Sequence, residues 1–115
     1  MIATTIEQSK KLIELGLNAD TADMYYYNND EIPQIISDIK LLKENINPKF
    51  YTLAWSLSKL LELMPFPSLH NFFNNKWRCD IRYEDGGVRK FGEDADSPLD
   101  AAFAMMCYLL ENKLI

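Results

Sequence analysis

Basic residues concentrate in one short segment of this chain. Five of its 12 lysines and arginines, including all three arginines, lie between positions 76 and 90: Lys76, Arg78, Arg82, Arg89 and Lys90. Five cations against three acids give the segment a charge of +2, and because the whole chain carries -5, the rest carries -7. Guanidinium groups bind phosphates and carboxylates through paired hydrogen bonds. The spacing therefore predicts an anion-binding patch at Arg78, Arg82, Arg89 and Lys90.

A structural interpretation of the same segment competes with this one and is favoured. Asp80 and Glu84 are interleaved with the arginines, as on a solvated sheet face whose charges pair across strands. The alternation also places no stacking aromatic on that face, although nucleic-acid surfaces commonly carry one.

Nucleophilic catalysis would have to use His70, the only histidine, together with Cys79 or Cys107. Nothing in the local sequence marks either thiol as activated, and the chain has no HExxH, CxxC, GxSxG or glycine-rich phosphate motif. We expect two reduced, buried thiols and no disulfide. No catalytic residue and no cofactor is predicted.

Aromatic residues are numerous, at 12% of the chain. Tyr25, Tyr26 and Tyr27 are consecutive, so strand alternation turns at least one of them outward. Tyr26 and Trp55 are the predicted aromatic anchors of a protein interface. Ordinary packing in the core is the favoured alternative for these side chains.

Four acids, Glu93, Asp94, Asp96 and Asp100, cluster around the start of the last predicted helix. Carboxylates there could hold a hard cation, but the calcium-loop pattern is absent. Helix capping and compensation of the helix dipole explain these acids, so no metal site is predicted.

The 115 residues are 48% hydrophobic and are expected to form a single domain, residues 1–115. Net charge -5 and a pI of about 4.8 exclude a general nucleic-acid or anionic-membrane binder. The N-terminus lacks signal-peptide features, and the longest apolar run, residues 101–110, is half the length of about 20 residues that a membrane span needs. A cytoplasmic location is expected.

Periodicity and capping signals predict the elements of an α+β fold. Helices are expected at 6–15, with a capping box at Thr4 or Thr5 and an end at Gly16, at 32–42, at 57–64 with Ser56 as N-cap, and at 98–110 with Ser97 as N-cap. A strand is expected at 24–27, closed by a turn at 28–30. Strands at 77–84 and 88–91 form a hairpin, and 69–73 adds a third strand.

In the predicted hairpin, a three-residue loop places Gly87 in the left-handed region and Ile81 opposite Phe91. This register avoids facing Arg82 with Arg89. About four helices are expected on one face of this small antiparallel sheet, with 24–27 as one further strand. The last helix is apolar nearly all round, which indicates either a central core helix or a shared interface.

Three stretches carry a resemblance: GLNADTADM from Gly16, AWSLSKLLELMP from Ala54, and SPLDAAF from Ser97 running into LLENK from Leu109. They resemble uncharacterised small proteins encoded by phages, prophages and mobile elements of gut Bacteroidetes. Leu53 stands where that pattern has proline. The resemblance implies an accessory protein of a mobile element and transfers no binding or catalytic residue.

These observations predict a small non-catalytic protein-interaction module, with a homodimer through the last helix as one form. The alternatives are an acidic inhibitor that mimics nucleic acid, prompted by the charge outside the hairpin, and a weak nucleic-acid contact through the basic hairpin 76–90.

Overall fold

The computed structural model describes residues 2–28 and 30–115 and has the predicted α+β architecture. Its contacts divide the chain into two compact units, Met1–Lys59 and Leu60–Ile115. Each unit contains a three-stranded antiparallel sheet. The strands thus form two sheets instead of the one small sheet that the sequence led us to expect. The predicted turn at 28–30 includes Asn29, which lies outside the described residues.

The first unit begins with helix α1, Ile6–Glu14. The predicted capping box is confirmed: the Gln8 amide donates to the Thr5 hydroxyl, and the Gln8 side chain accepts from the Thr5 amide. Beyond the helix, Gly16 has φ 103° and the Leu17 amide donates to the Leu12 carbonyl at 2.9 Å. Glycine therefore ends α1 as predicted, because only it adopts this φ without strain.

Strand β1, Met24–Tyr27, is the centre of the first sheet. It pairs with β2, Gln34–Ile35, on one side and with β3, Tyr51–Ala54, on the other. Strand β1 was predicted and β3 was not. Met24, Tyr26, Ala54 and Ala3 form a buried cluster against which Ile6 packs.

The prediction of a helix at 32–42 is wrong for the first half of that segment. Residues 34–35 pair with β1 as β2, and helix α2 covers only Ile39–Asn45. Asp38 interrupts the apparent helical stripe because its carboxylate accepts from the Lys40 and Leu41 amides and so starts a new helix. As a result Ile32 and Ile35, expected on a buried stripe, are 71% and 77% exposed.

Helix α3, Leu57–Leu63, contains the boundary between the two units. Its predicted N-cap is confirmed, since the Lys59 amide donates to the Ser56 hydroxyl at 3.1 Å.

The second unit contains β4, Pro67–Asn71, β5, Trp77–Arg82, and β6, Val88–Lys90, in that spatial order. Helix α4, Pro98–Glu111, packs against β4 and β5 and starts as predicted, with the Asp100 amide donating to the Ser97 hydroxyl. Seven of its residues are buried, and the large exposed hydrophobic side chains of the described residues all lie outside it. A homodimer through α4 therefore stays a prediction without an exposed apolar stripe to support it.

The predicted register of the hairpin is wrong. Ile81 pairs with Lys90 instead of Phe91, and a bulge brings Val88 opposite Arg82. Gly86, not Gly87, has positive φ, at 95°. The Asp85 carboxylate accepts from the Gly87 amide and fixes this turn, and the bulge still keeps Arg82 away from Arg89.

None of the helices in the described residues combines the length and the apolar character that crossing a membrane requires.

Candidate interaction surface on the second sheet

Strand pairing brings five polar side chains to one face of the second sheet. Ser68 pairs with Asp80 and His70 with Arg78, and Arg82 follows at the same alternation along β5. We call this surface the Arg78 face; it comprises Ser68, His70, Arg78, Asp80 and Arg82. The buried Cys79 and Ile81 alternate with these positions along β5 and so lie on the opposite face.

Asp80 is fully buried although it is charged. Arg78 Nη2 donates to Asp80 Oδ2 at 3.2 Å, and the Gly92 amide donates to Asp80 Oδ1 at 2.8 Å. Arg78 Nε lies 2.9 Å from Oδ1 as a charge contact, without hydrogen-bond geometry. A Cβ at Gly92 would lie 2.0 Å from the Cys79 carbonyl oxygen, so only glycine permits this approach. Asp80 thereby ties β5 to the chain that follows β6.

The guanidinium of Arg78 lies between two phenylalanine rings. Its central carbon is 4.5 Å from the centroid of Phe72 and 4.9 Å from that of Phe91. Both distances are within cation–π range, and the two residues are 40% and 59% exposed. The sequence-based statement that no stacking aromatic shares this face is therefore wrong. Phe72 and Phe91 lie just beyond the ends of β4 and β6, although the predicted strands included both. The predicted pairing of Phe91 with Ile81 placed its ring on the opposite face of the sheet.

Three groups approach a single ring nitrogen of His70. Its Nε2 is 2.7 Å from Ser68 Oγ, 3.3 Å from Arg82 Nη2 and 3.5 Å from Asp80 Oδ2. A serine–histidine–aspartate relay requires the serine and the carboxylate on different ring nitrogens, because one nitrogen must take the proton while the other is held. This arrangement orients the imidazole and provides no proton relay.

Both cysteines are buried, as predicted, at 0% exposure for Cys79 and 8% for Cys107. Burial, with a further contribution from the Asp80 charge, raises the pKa of the Cys79 thiol to about 11. Since the thiolate is the nucleophilic form, this cysteine is a poor nucleophile at neutral pH.

The predicted basic residues do not form one continuous patch. Arg78 and Arg82 lie together on the Arg78 face, where Arg82 Nη1 also donates to the Gly86 carbonyl at 2.9 Å. Arg89 is exposed on β6. Lys90 instead places its ammonium 4.5 Å from the centroid of the Tyr108 ring, on helix α4.

The two predicted aromatic anchors lie in the core of the first unit. Tyr26 is 5% exposed and Trp55 is fully buried. The Tyr26 hydroxyl donates to the Thr4 carbonyl at 2.8 Å, and Trp55 Nε1 donates to the Thr21 hydroxyl at 3.0 Å. Core packing, the favoured alternative, describes both side chains, and neither is available as a surface anchor. Tyr25, which is half-buried, and Tyr27, at 45% exposure, alternate onto the other face of this strand.

One of the acids before α4, Asp96, has a local partner. Asp96 forms an ion pair with Lys76, and this pairing lowers the pKa of Asp96 and raises that of Lys76. Within residues 2–28 and 30–115, no group of three or more His, Cys, Asp or Glu side chains is arranged to hold a metal ion.

Comparison of the chain with protein-family models, with curated proteins and with solved structures finds no match. The resemblance to phage and mobile-element proteins of gut Bacteroidetes accordingly stays a prediction.

Proposed function

We propose that this protein is a small non-catalytic protein-interaction module that binds an acidic segment of a protein partner through the Arg78 face. The observation that carries the proposal is the position of Arg78, held between two exposed phenylalanine rings and fixed to a buried aspartate.

Arginine and aromatic side chains are typical of the few residues that supply most of the energy of a protein interface. Binding ordinarily costs side-chain entropy, because flexible side chains must be immobilised. On this face Asp80 and the two rings already restrict Arg78 in the unbound protein. The exposed areas of Phe72 and Phe91 therefore form a rigid apolar surface beside a fixed cation.

Charge favours an acidic protein segment over nucleic acid. Asp80 compensates the charge of Arg78, whereas Arg82 forms no ion pair with the residues that the structure describes, and Arg89 is exposed on the adjacent strand β6. Nucleic-acid binding without sequence preference depends on neutralising several phosphates. One or two cations on a chain of net charge -5 suit a short acidic peptide better.

Nucleic-acid mimicry receives less support, because several acids are engaged within the fold. Asp38 caps α2, Asp20 pairs with Lys43, and Asp96 pairs with Lys76. These carboxylates lie near their own cations or amides, whereas a mimic needs them in rows spaced like phosphates.

We further propose that the module is a cytoplasmic accessory protein of a phage or mobile element, in line with the resemblance.

The proposal can be tested with a fluorescein-labelled peptide of alternating glutamate and valine, which is extended and acidic. Fluorescence anisotropy should show saturable binding to the full chain. The double variant Phe72→Ala/Phe91→Ala should weaken it at least tenfold, or about 1.4 kcal/mol. Phe50→Ala is the matched control, since Phe50 is 43% exposed and also lies under a cation, Lys49.

Two further probes distinguish the alternatives. A peptide of alternating lysine and valine should not bind, and a labelled oligothymidylate should bind more weakly than the acidic peptide. Tighter binding of the oligothymidylate would replace the proposal by the nucleic-acid hypothesis. Equal losses in Phe50→Ala and in the double variant would contradict the assignment to the Arg78 face.

A further inference from the structure

A cavity of about 560 Å³ lies in the first unit, and its lining includes no residue of the Arg78 face. Small-molecule sites in proteins commonly have volumes of about 300 to 1,000 Å³. The cavity is bounded by α1, α2 and the chain from Pro48 into β3. Its lining includes Lys10, Ile13, Lys43, Pro48, Tyr51 and Leu53.

The walls of this cavity are largely apolar. Ile13, on α1, is 42% exposed although it belongs to an amphipathic helix. Leu53 and Tyr51, on the facing strand β3, are only partly buried. Covering such surface removes apolar area from water, so an apolar ligand would gain free energy here.

The charges of the cavity are positive. Of the described residues that line it, Lys10 and Lys43 are charged and none is acidic. Lys43 is compensated by an ion pair with Asp20. Lys10 forms no ion pair with the described residues, which leaves one uncompensated ammonium at an apolar wall.

We infer that this cavity is a binding site for a monoanion with an apolar body, such as a single-chain carboxylate. The carboxylate pairs with the Lys10 ammonium, and the chain lies against Ile13 and Leu53. One uncompensated cation beside an apolar wall favours a single charge on the ligand, since a second charge would be desolvated without a partner. The inference does not depend on the proposed function, which concerns the other unit.

The test is a titration of the ¹⁵N-labelled full chain with decanoate below its micelle concentration. Amide resonances of Ile13, Tyr51 and Leu53 should shift saturably, while those of His70 and Arg78 should not. Lys10→Gln should weaken decanoate at least fivefold. Lys11→Gln is the matched control, because Lys11 is the exposed neighbour on α1 and is not among the lining residues.

Decanol has the same chain without the charge and should bind at least fivefold more weakly than decanoate. Equal affinity for decanol, or unchanged decanoate affinity in Lys10→Gln, would overturn the inference, because binding would then be apolar adsorption. Absence of saturable shifts at millimolar decanoate, or shifts centred on the Arg78 face, would overturn it as well. Circular dichroism of both lysine variants verifies that they are folded, as expected for exposed positions.

Discussion

Each unit buries a polar cluster, and the two clusters differ in charge. In the first unit the Thr4 network, comprising Thr4, Ser9, Tyr26 and Trp55, is neutral. The hydroxyl of Thr4 is 2.7 Å from that of Ser9 and accepts from the Trp55 amide at 3.1 Å. In the second unit the buried group is the Asp80 carboxylate, and its partner is the Arg78 guanidinium.

This difference in charge explains why the Thr4 network stays within the core whereas the cluster of Arg78 and Asp80 extends to the surface. Neutral groups can satisfy one another inside a core, and the Thr4 network holds the N-terminal segment against Trp55 in this way. A buried carboxylate requires a cation and further donors, since its desolvation is far more costly. The cation is long, and its planar head reaches the surface between Phe72 and Phe91. Because the buried Asp80 carboxylate requires a cation, Arg78 is held beside two exposed rings, where a binding partner could contact it.

Removal of the buried Asp80 carboxylate should give the largest loss of stability. Asp80→Ala leaves Arg78 partly buried without its partner and the Gly92 amide without an acceptor, and is expected to lower the free energy of unfolding by about 3 to 5 kcal/mol. Urea denaturation measures this. In Arg78→Ala/Asp80→Ala the loss should be smaller than the sum of the two single losses, because the residues are coupled. A loss below about 1 kcal/mol in Asp80→Ala would contradict our description of the cluster.

Substitutions in the neutral Thr4 network should destabilise the protein less than Asp80→Ala does. Thr4→Val removes the hydroxyl that accepts from the Trp55 amide and is expected to lower the free energy of unfolding by about 1 to 3 kcal/mol. Thr52→Val is the control: it removes a hydroxyl at a half-buried position of β3, outside the Thr4 network, and should have a smaller effect. The same urea experiment compares the two variants. A Thr4→Val loss as large as that of Asp80→Ala would remove the contrast between the clusters.

Breaking the exposed ion pair of Lys76 and Asp96 should change the free energy of unfolding least, because solvent screens the two charges. The pKa of Asp96 is lowered from its ordinary 3.8, so the pair stabilises the folded protein above about pH 3.8. That contribution is lost as the pH falls through the lower pKa of the folded state. NMR titration of the Asp96 carboxyl carbon should give a higher pKa in Lys76→Ala. An unchanged Asp96 pKa would show that the ion pair does not form in solution.

Short-range signals predicted some elements correctly. The capping box at Thr5, the end at Gly16 and the start of α4 at Ser97 depend on residues close together in the chain. Strand β1 and most of β5 follow from composition and alternation. The segment 32–42 shows the limit: its helical spacing is real, but pairing of Ile35 with Met24, a contact across the sheet, took precedence in its first half.

The candidate surface was predicted only in part. Arg78 and Arg82 were singled out from their clustering, and alternation predicts that they share a face. Phe72 and Phe91 were missed as partners of Arg78. Tyr26 and Trp55 were named as candidate surface anchors, with core packing as the favoured alternative, and they lie in the core. Residue type indicates that an aromatic side chain will be used in packing or binding, whereas its burial depends on which elements cover it.

The sequence by itself determined the α+β class, the caps of α1, α3 and α4, and the concentration of arginines in one hairpin, because these depend on local geometry and composition. The tertiary structure decided the division into two sheets, the burial of Asp80 and the stacking of Arg78 between two rings. Those features arise from contacts between residues distant in the chain, whose energies local patterns do not contain. Burial in particular is a property of the whole packed unit, and it turns an ordinary strand aspartate into the group that fixes Arg78 and organises this surface.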